Sequence, residues 1–314
     1  MDHDGASATT DDVLGDADLH GRRVVVTGAS TGLGEETARA LASRGAAVTM
    51  TARDAGRGDA AAERIRASFP DADLEVRILD LASLAQVRAS AADFLADHDT
   101  IDILVNNAGV MACPRADTAD GFELQLGTNH LGHFLLSSLL MPALLAAPSA
   151  RVVALSSRGH RFADVDLEDP NFGQSQYDPW IAYGRSKTAN ALFAVELDRR
   201  YREEGVRAFS VHPGMILTEL GRHLTEEALA ALRDSMPSDA QSAWKTIPQG
   251  AATTVWAATS AELDGRGGLY LEDCHIATPT ADPGAMEGVR TYAMDPTRAR
   301  DLWRRSEEWV GISG

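Results

Sequence analysis

The feature that most restricts this chain is a strand–turn–helix unit near its start. Arg23–Thr27 (RVVVT) is a short β-branched run that enters Thr27-Gly28-Ala29-Ser30-Thr31-Gly32-Leu33-Gly34, and a helical pattern follows over Glu35–Arg44. Glycines after a strand let the chain turn sharply and bring backbone N–H groups to an anion at a helix N-terminus, the arrangement that takes a pyrophosphate. Gly34 would also let the helix lie close to the strand. The spacing is G-x-x-x-G-x-G, not the G-x-G-x-x-G of other dinucleotide folds. A glycine-rich loop alone is weak evidence, and here the strand before it and the helix after it strengthen the reading.

The alternation continues along the chain. Ala47–Ala52, Leu74–Leu79, Ile101–Val105, Arg151–Ser156 and Val206–Val211 read as further strands, with helical segments around Ser83–Ala96, Leu124–Leu145 and Ala182–Glu203. Short apolar runs without clean alternation suit strands buried on both faces. The expected fold is therefore α/β: a Rossmann-type, doubly wound parallel sheet with helices on both faces. No linker or repeat interrupts the series, so residues 20–314 are expected to form one domain behind an acidic, disordered tail, 1–19.

Charge and composition exclude several function classes. A formal net charge of −17 disfavours DNA, RNA or an anionic membrane as a partner. Cys113 and Cys274 are the only cysteines, too few for a disulfide framework or a zinc site, so a reducing cytoplasm is the expected compartment and no metal is expected. Met1 to His20 offers no basic and apolar secretion signal, and the apolar stretch Leu131–Ala147 is too interrupted for a membrane span. Lys187 and Lys245 are the only lysines, which makes each conspicuous.

The second strand ends at Ala52-Arg53-Asp54. An acidic residue there would grip the adenosine ribose, whereas arginine suits a 2′-phosphate through charge and its planar donor fork. Arg53 could instead pair with Asp54 or be merely solvated. NADP(H) is the expected cofactor.

Tyr183-Gly184-Arg185-Ser186-Lys187 places a phenol and an ammonium on one face of a predicted helix, within reach of the same substrate atom. Free tyrosine titrates near 10, and an adjacent cation favours its phenolate. Bringing it to near neutrality requires on the order of 3–4 kcal/mol, reasonable for a partly buried ammonium plus the charge of a nicotinamide.

With these motifs in place the sequence resembles the short-chain dehydrogenase/reductase superfamily, and within it the retinol-dehydrogenase-related branch. The resemblance runs from residue 21 to about 310. It includes Asp80-Leu81, Asn106-Asn107-Ala108-Gly109, Thr128-Asn129-His130-Leu131-Gly132-His133, Ser156-Ser157 and His212-Pro213-Gly214. It implies that Tyr183 exchanges a proton with the carbonyl oxygen while hydride moves to or from the nicotinamide. Lys187 would lower the tyrosine pKa and hold the nicotinamide ribose, Ser157 would bind the substrate oxygen, and Asn129 would help hold a relay water. Ser156 rivals Ser157, which is preferred because the family's serine is normally the second of such a pair. Gly28, Ser30, Thr31, Gly32, Leu33 and Gly34 would hold the pyrophosphate, Asp80 and Leu81 would flank the adenine, and Asn107, Ala108 and Gly109 would line the groove. Pro213 to Thr218 would cover the nicotinamide, with Gly214 in the turn and Ile216 and Thr218 near the carboxamide. Each also has a plain structural role: Asn129 could cap or kink a helix, Ser157 finish a strand, and Asp80 cap the next helix.

The interval from Ser157 to Tyr183 is longer than in many members, and His160 to Trp180 should form a surface loop near the site mouth. Tyr177 in that loop has Ile181, not lysine, four residues on. Residues 218–249 correspond to the family's substrate lid. Leu220, Leu224, Leu229, Leu232, Met236 and Trp244 there, with no clustered basic residues, point to an apolar ketone, aldehyde or alcohol; facing the protein's own core is the competing role for them. Trp303 and Trp309 should anchor the terminal amphipathic stretch. A homodimer or homotetramer, through the helices around 124–146 and 182–203, is a family expectation. The competing function, an NADP(H)-sensing regulator without turnover, is disfavoured because both Tyr183 and Lys187 are retained.

Overall fold

The computed structural model describes residues 5–216, 218–221, 244–285 and 287–312. Eight strands form one sheet: β1 (Arg23–Val26), β2 (Ala47–Ala52), β3 (Leu74–Ile78), β4 (Ile103–Asn106), β5 (Ala150–Leu155), β6 (Val206–His212), β7 (Leu269–Glu272) and β8 (His275–Ile276). Their order is β3-β2-β1-β4-β5-β6-β7-β8; the first seven in that row run parallel and β8 is antiparallel. β4 and β5 are buried along their whole length, as expected of strands covered on both faces. The order reverses direction between β1 and β4, and such a switch point opens a crevice at the carboxyl ends of the strands.

Helices close both faces: α2 (Gly32–Ala42), α3 (Ala55–Ser68), α4 (Leu84–Asp97), α6 (Gly132–Ala146), α7 (Pro179–Tyr201), α8 (Ile247–Thr259) and α9 (Pro296–Val310). They follow a one-turn helix α1 (Thr10–Leu14) and, before α6, a short α5 (Leu124–Leu126). One core gathers Phe134, Leu140, Leu192 and Trp303 under α4, α6, α7 and α9, and the other gathers Leu41, Met50, Phe209 and Trp256 under α2 and α8.

Several elements are additions to the sequence reading. α3 turns toward the sheet only Gly58, Ala61, Ala62 and Ile65, so its apolar stripe is made mostly of residues too small to register. α8 opens with a capping box, Thr246 with Gln249, and β7 follows a run of glycines. The N-terminal segment departs from the expected disorder. From Gly5 onward it is ordered: Thr9 caps α1, Leu14 and Leu19 are buried, and Arg39 donates to Asp11 at 2.9 Å. Leu19 N–H also donates to the Arg44 backbone carbonyl at 2.8 Å, which fixes the segment against the turn after α2.

α9 lies across α6 and α7. The Trp303 ring is stacked on Phe193 and edge-on to Phe134, and Ser306 bonds His130 at 2.8 Å. The anchoring role expected for Trp303 is what the structure has. Part of the surface on which the family expectation places a subunit contact is therefore covered by the chain itself.

Candidate active site

One cavity of about 680 Å³ runs along the carboxyl ends of β1, β2, β4, β5 and β6. Gly28, Ser30, Thr31, Gly32, Leu33 and Gly34 line one end. Thr31 is the N-cap of α2 yet spends no side-chain bond on its own helix, so the first turn's N–H groups face the groove. A Cβ on Gly34 would sit 2.3 Å from the Gly28 carbonyl oxygen, so only glycine lets α2 start this close to the loop. Across the switch point Asn107 donates its side-chain amide to Thr27 O at 2.7 Å, tying the β4 loop to the β1 loop.

At the β2 end, Arg53 is exposed, lines the cavity and makes no salt bridge among the described residues. Asp54 does not pair with it; its carboxylate accepts the Arg57 N–H at 2.8 Å and caps α3. Arg57 lines the cavity as well and is paired with Glu219. Leu81 reaches the wall. Asp80 does not: its carboxylate accepts Ala82 N–H at 3.0 Å, while Ser83 caps α4.

The other end is built on α7. Pro179 at its start and the Asp178 cap fix where the helix begins, and the 3.6-residue period then puts Tyr183 and Lys187 on one buried face, each 3% exposed. Lys187 donates to the Leu155 carbonyl at 2.9 Å, and its Nζ lies 5.7 Å from the Tyr183 ring centroid. Ser156 and Ser157 both line the cavity but differ in what their hydroxyls bond: Ser156 is buried and donates to Lys187 O at 2.8 Å, whereas Ser157 hydrogen-bonds Tyr183. Gly159, in the turn after Ser157, packs flat on the tyrosine: a Cβ there would lie 2.6 Å from its Cε1.

Electrostatics in the protein alone run opposite to the expectation that Lys187 lowers Tyr183. Burial pushes the phenol up to about 12 against the opposing Ser157 hydrogen bond, and burial pushes the Lys187 ammonium down to about 7. The lysine points at a carbonyl rather than at the phenol oxygen, so desolvation decides both groups.

Asn129 sits behind the wall, wholly buried, in a π-helical turn (Gly127–Leu131) between α5 and α6. Its amide bonds Val110 N–H at 2.8 Å, Val110 O at 2.9 Å and Ser186 at 2.9 Å. A side chain at Gly109 would touch both the Asn129 amide oxygen and Lys187 Nζ, so the two flank one spot. Pro213, Gly214, Ile216 and Thr218 line the cavity roof. Lys245, the second lysine, pairs with Asp273, and its N–H bonds Met215 O at 2.8 Å beside the Met215–Trp244 bridge. The chain at Met215 and at Trp244–Lys245 therefore meets at the site. Leu224, Leu229, Leu232 and Met236 lie outside the described residues.

Two features were missed in the sequence. Thr27 and His133 form a buried link beneath the site, 2.8 Å apart. Arg158, Arg161 and Arg290 come together on the cavity wall, although residues 218–249 carry no basic cluster in the sequence. Neither a metal-binding cluster nor a helix long and apolar enough to cross a membrane is present among the described residues.

Known proteins bear the same pattern. A family profile described as short chain dehydrogenase matches residues 22–229. The short-chain dehydrogenase/reductase prx1 of Penicillium roqueforti is 40% identical over 98% of this chain and 92% of its own length. Mouse retinol dehydrogenase 12 is 42% identical over 94% of this chain and 88% of its own. Among solved structures, an uncharacterised protein from Mycobacterium paratuberculosis superposes with a TM-score of 0.72 at 37% identity, covering 96% of this chain and 97% of that one. The Pseudomonas aeruginosa RhlG/NADP active-site complex superposes at 0.65 with 27% identity, covering 85% and 97%.

Proposed function

This chain belongs to the short-chain dehydrogenase/reductase family, in its retinol-dehydrogenase-related branch, and on that premise we propose that it interconverts an apolar carbonyl compound and its alcohol with NADP(H), Tyr183 acting as acid and base. When bound, the nicotinamide supplies or accepts the hydride. The observation that carries the reading is that Tyr183, Ser157 and Lys187 share one cavity with the glycine-rich loop.

Ser157 orients the substrate oxygen toward the phenol, and Tyr183 gives its proton to that oxygen in reduction. A phenol held near 12 is fully protonated at neutral pH, so the proton is in place for reduction, but it is a weak acid until its pKa is lowered. Oxidation needs the reverse transfer. The Ser157 hydrogen bond and a charged Lys187 both favour the phenolate it requires, as does a positively charged nicotinamide nearby. Asn129 holds the loop after β4 at Val110, and Ser186, in place and keeps the space beside Lys187 open for a relay water.

Arg53 supports NADP(H) over NAD(H): it is unpaired among the described residues, at the strand end where a ribose-binding carboxylate would otherwise stand. Solved relatives of this fold, RhlG among them, hold NADP. Val110, Met111, Phe162, Trp180, Met215 and Trp244 give the substrate end its apolar wall, which supports an apolar substrate. That Cys113 and Cys274 form no disulfide suits a cytoplasmic setting. Dimers or tetramers stay a family expectation, and any such contact must accommodate α9.

The test follows reduced nicotinamide by its absorbance while ketones, aldehydes and alcohols are offered with each cofactor. Turnover with NADP(H) that disappears in Tyr183→Phe, with cofactor binding kept, is the expected result. Turnover indifferent to Tyr183→Phe would remove the tyrosine from the mechanism, and preference for NAD(H) would remove the role of Arg53.

A further inference from the structure

The substrate end of the cavity is apolar on one side and cationic on the other. Arg158, Arg161 and Arg290 line it beside Phe162 and Trp180, contributed by the turn Arg158–Arg161 and by a strand-like pair far along the chain, Val289–Arg290. Arg161 donates to the carbonyls of Ala285 and Gly288, the latter at 2.7 Å, and Arg290 donates to those of Asp282 and Pro283, the latter at 2.8 Å. Neither Arg161 nor Arg290 forms an ion pair among the described residues. Arg290 is 8% exposed, and Arg161 Nε is buried with no hydrogen-bond partner.

The bland account is that both arginines staple the 282–288 loop. Stapling needs N–H donors, which an amide side chain also has, and does not need charge. A guanidinium cannot discharge, and a half-buried one without a counter-ion is costly to keep. The nearest carboxylate influence on Arg161 is Glu272, which accepts Gly288 N–H at 2.6 Å and whose own ionisation burial opposes. Positive charge therefore exceeds negative along this wall. The same turn carries Gly159 against the Tyr183 ring, so the cationic wall and the proposed acid/base are joined by one short element.

We propose that the substrate is an apolar carbonyl or alcohol bearing an anionic oxygen group, a carboxylate in its simplest form, which the Arg161–Arg290 wall binds while the reacting carbon lies at Tyr183. The inference rests on the oxidoreductase reading above and deepens it.

The experiment titrates 4-formylbenzoate and its uncharged methyl ester into the full-length protein saturated with NADP⁺, by calorimetry. The carboxylate is expected to bind about ten- to a hundredfold more tightly, an advantage that shrinks as salt is added. Arg161→Gln and Arg290→Gln, which keep an N–H donor for the loop, are expected to abolish the preference; Arg161→Lys, which keeps the charge, retains most of it. Unchanged NADP(H) affinity in each variant reports an intact fold. Ester binding as tight as the acid, no binding of the acid, or a preference that survives both glutamine variants overturns the proposal. Hydride transfer is scored separately: selective binding of the acid without turnover of either compound would count against the oxidoreductase reading and leave the anion site standing.

Discussion

His133 accepts the hydroxyl proton of Thr27 across 2.8 Å, and this bond ties the cofactor loop to the helix that carries Asn129. The direction follows from the partners. His133 Nδ1 faces the Asn129 carbonyl at 2.9 Å, which can only accept, so Nδ1 bears the proton. Burial holds the ring neutral, its pKa pushed down to about 4, so Nε2 is an acceptor. The Thr27 oxygen is thereby free to accept from the N–H groups of Asn107 at 2.9 Å and Ala108 at 3.0 Å.

Replacing His133 with Phe should leave the Thr27 hydroxyl and the Asn129 carbonyl short of partners in a dry interior. A loss of about 1–3 kcal/mol in stability is expected, together with weaker cofactor binding as the Asn107 loop loosens. Denaturant midpoints and cofactor titration measure both, and unchanged affinity would separate the link from the cofactor site.

Gly159→Ala should act on chemistry rather than on cofactor. The added methyl meets the Tyr183 ring at 2.6 Å and must turn it. Turnover is expected to fall about 10- to 100-fold with cofactor affinity nearly unchanged. Equal losses in both would point to wider damage.

Arg53→Gln should weaken NADP(H) by about 10- to 100-fold, the worth of a charge-assisted phosphate contact, and leave NAD(H) unaffected. Parallel titrations with the two cofactors decide it. A uniform effect on both would place Arg53 away from the 2′-phosphate.

His130, His133 and His160 are buried and neutral, with pKa values pushed down by burial to about 3, about 4 and about 4. Below about 6.5 the unfolded chain takes up protons that the folded one refuses, so stability is lost as pH falls from there toward the folded values. Each ring contributes at most about 1.4 kcal/mol per pH unit in that window. Denaturant midpoints between about pH 7 and pH 5 should fall, and less steeply in His130→Gln. An identical slope in that variant would refute the share given to His130.

The parts of the site readable in the sequence are those in which residue type and spacing carry the chemistry locally. The glycine loop, the Asn107–Gly109 turn and the Tyr183/Lys187 pair each lie within one element and its adjoining turn, so the strand–helix order was enough to bring them to one crevice. Asp80 shows how residue type can serve two roles: an aspartate two residues before a backbone N–H can satisfy it locally, which is what it does with Ala82. The arginine wall was invisible for the opposite reason. Arg161 and Arg290 are far apart in sequence, and only the return of the chain after β8 sets them side by side. α3 escaped notice because its inner face is glycine and alanine, and the N-terminal segment because its few apolar residues acquire meaning only against α2 and α8.

Trp303 gives the last helix a role that length alone does not. By filling the hollow between Phe134 and Phe193, α9 covers an apolar face of α6 and α7 from within the chain. Trimming the chain before residue 296 would bare that face to water and leave an apolar patch prone to association.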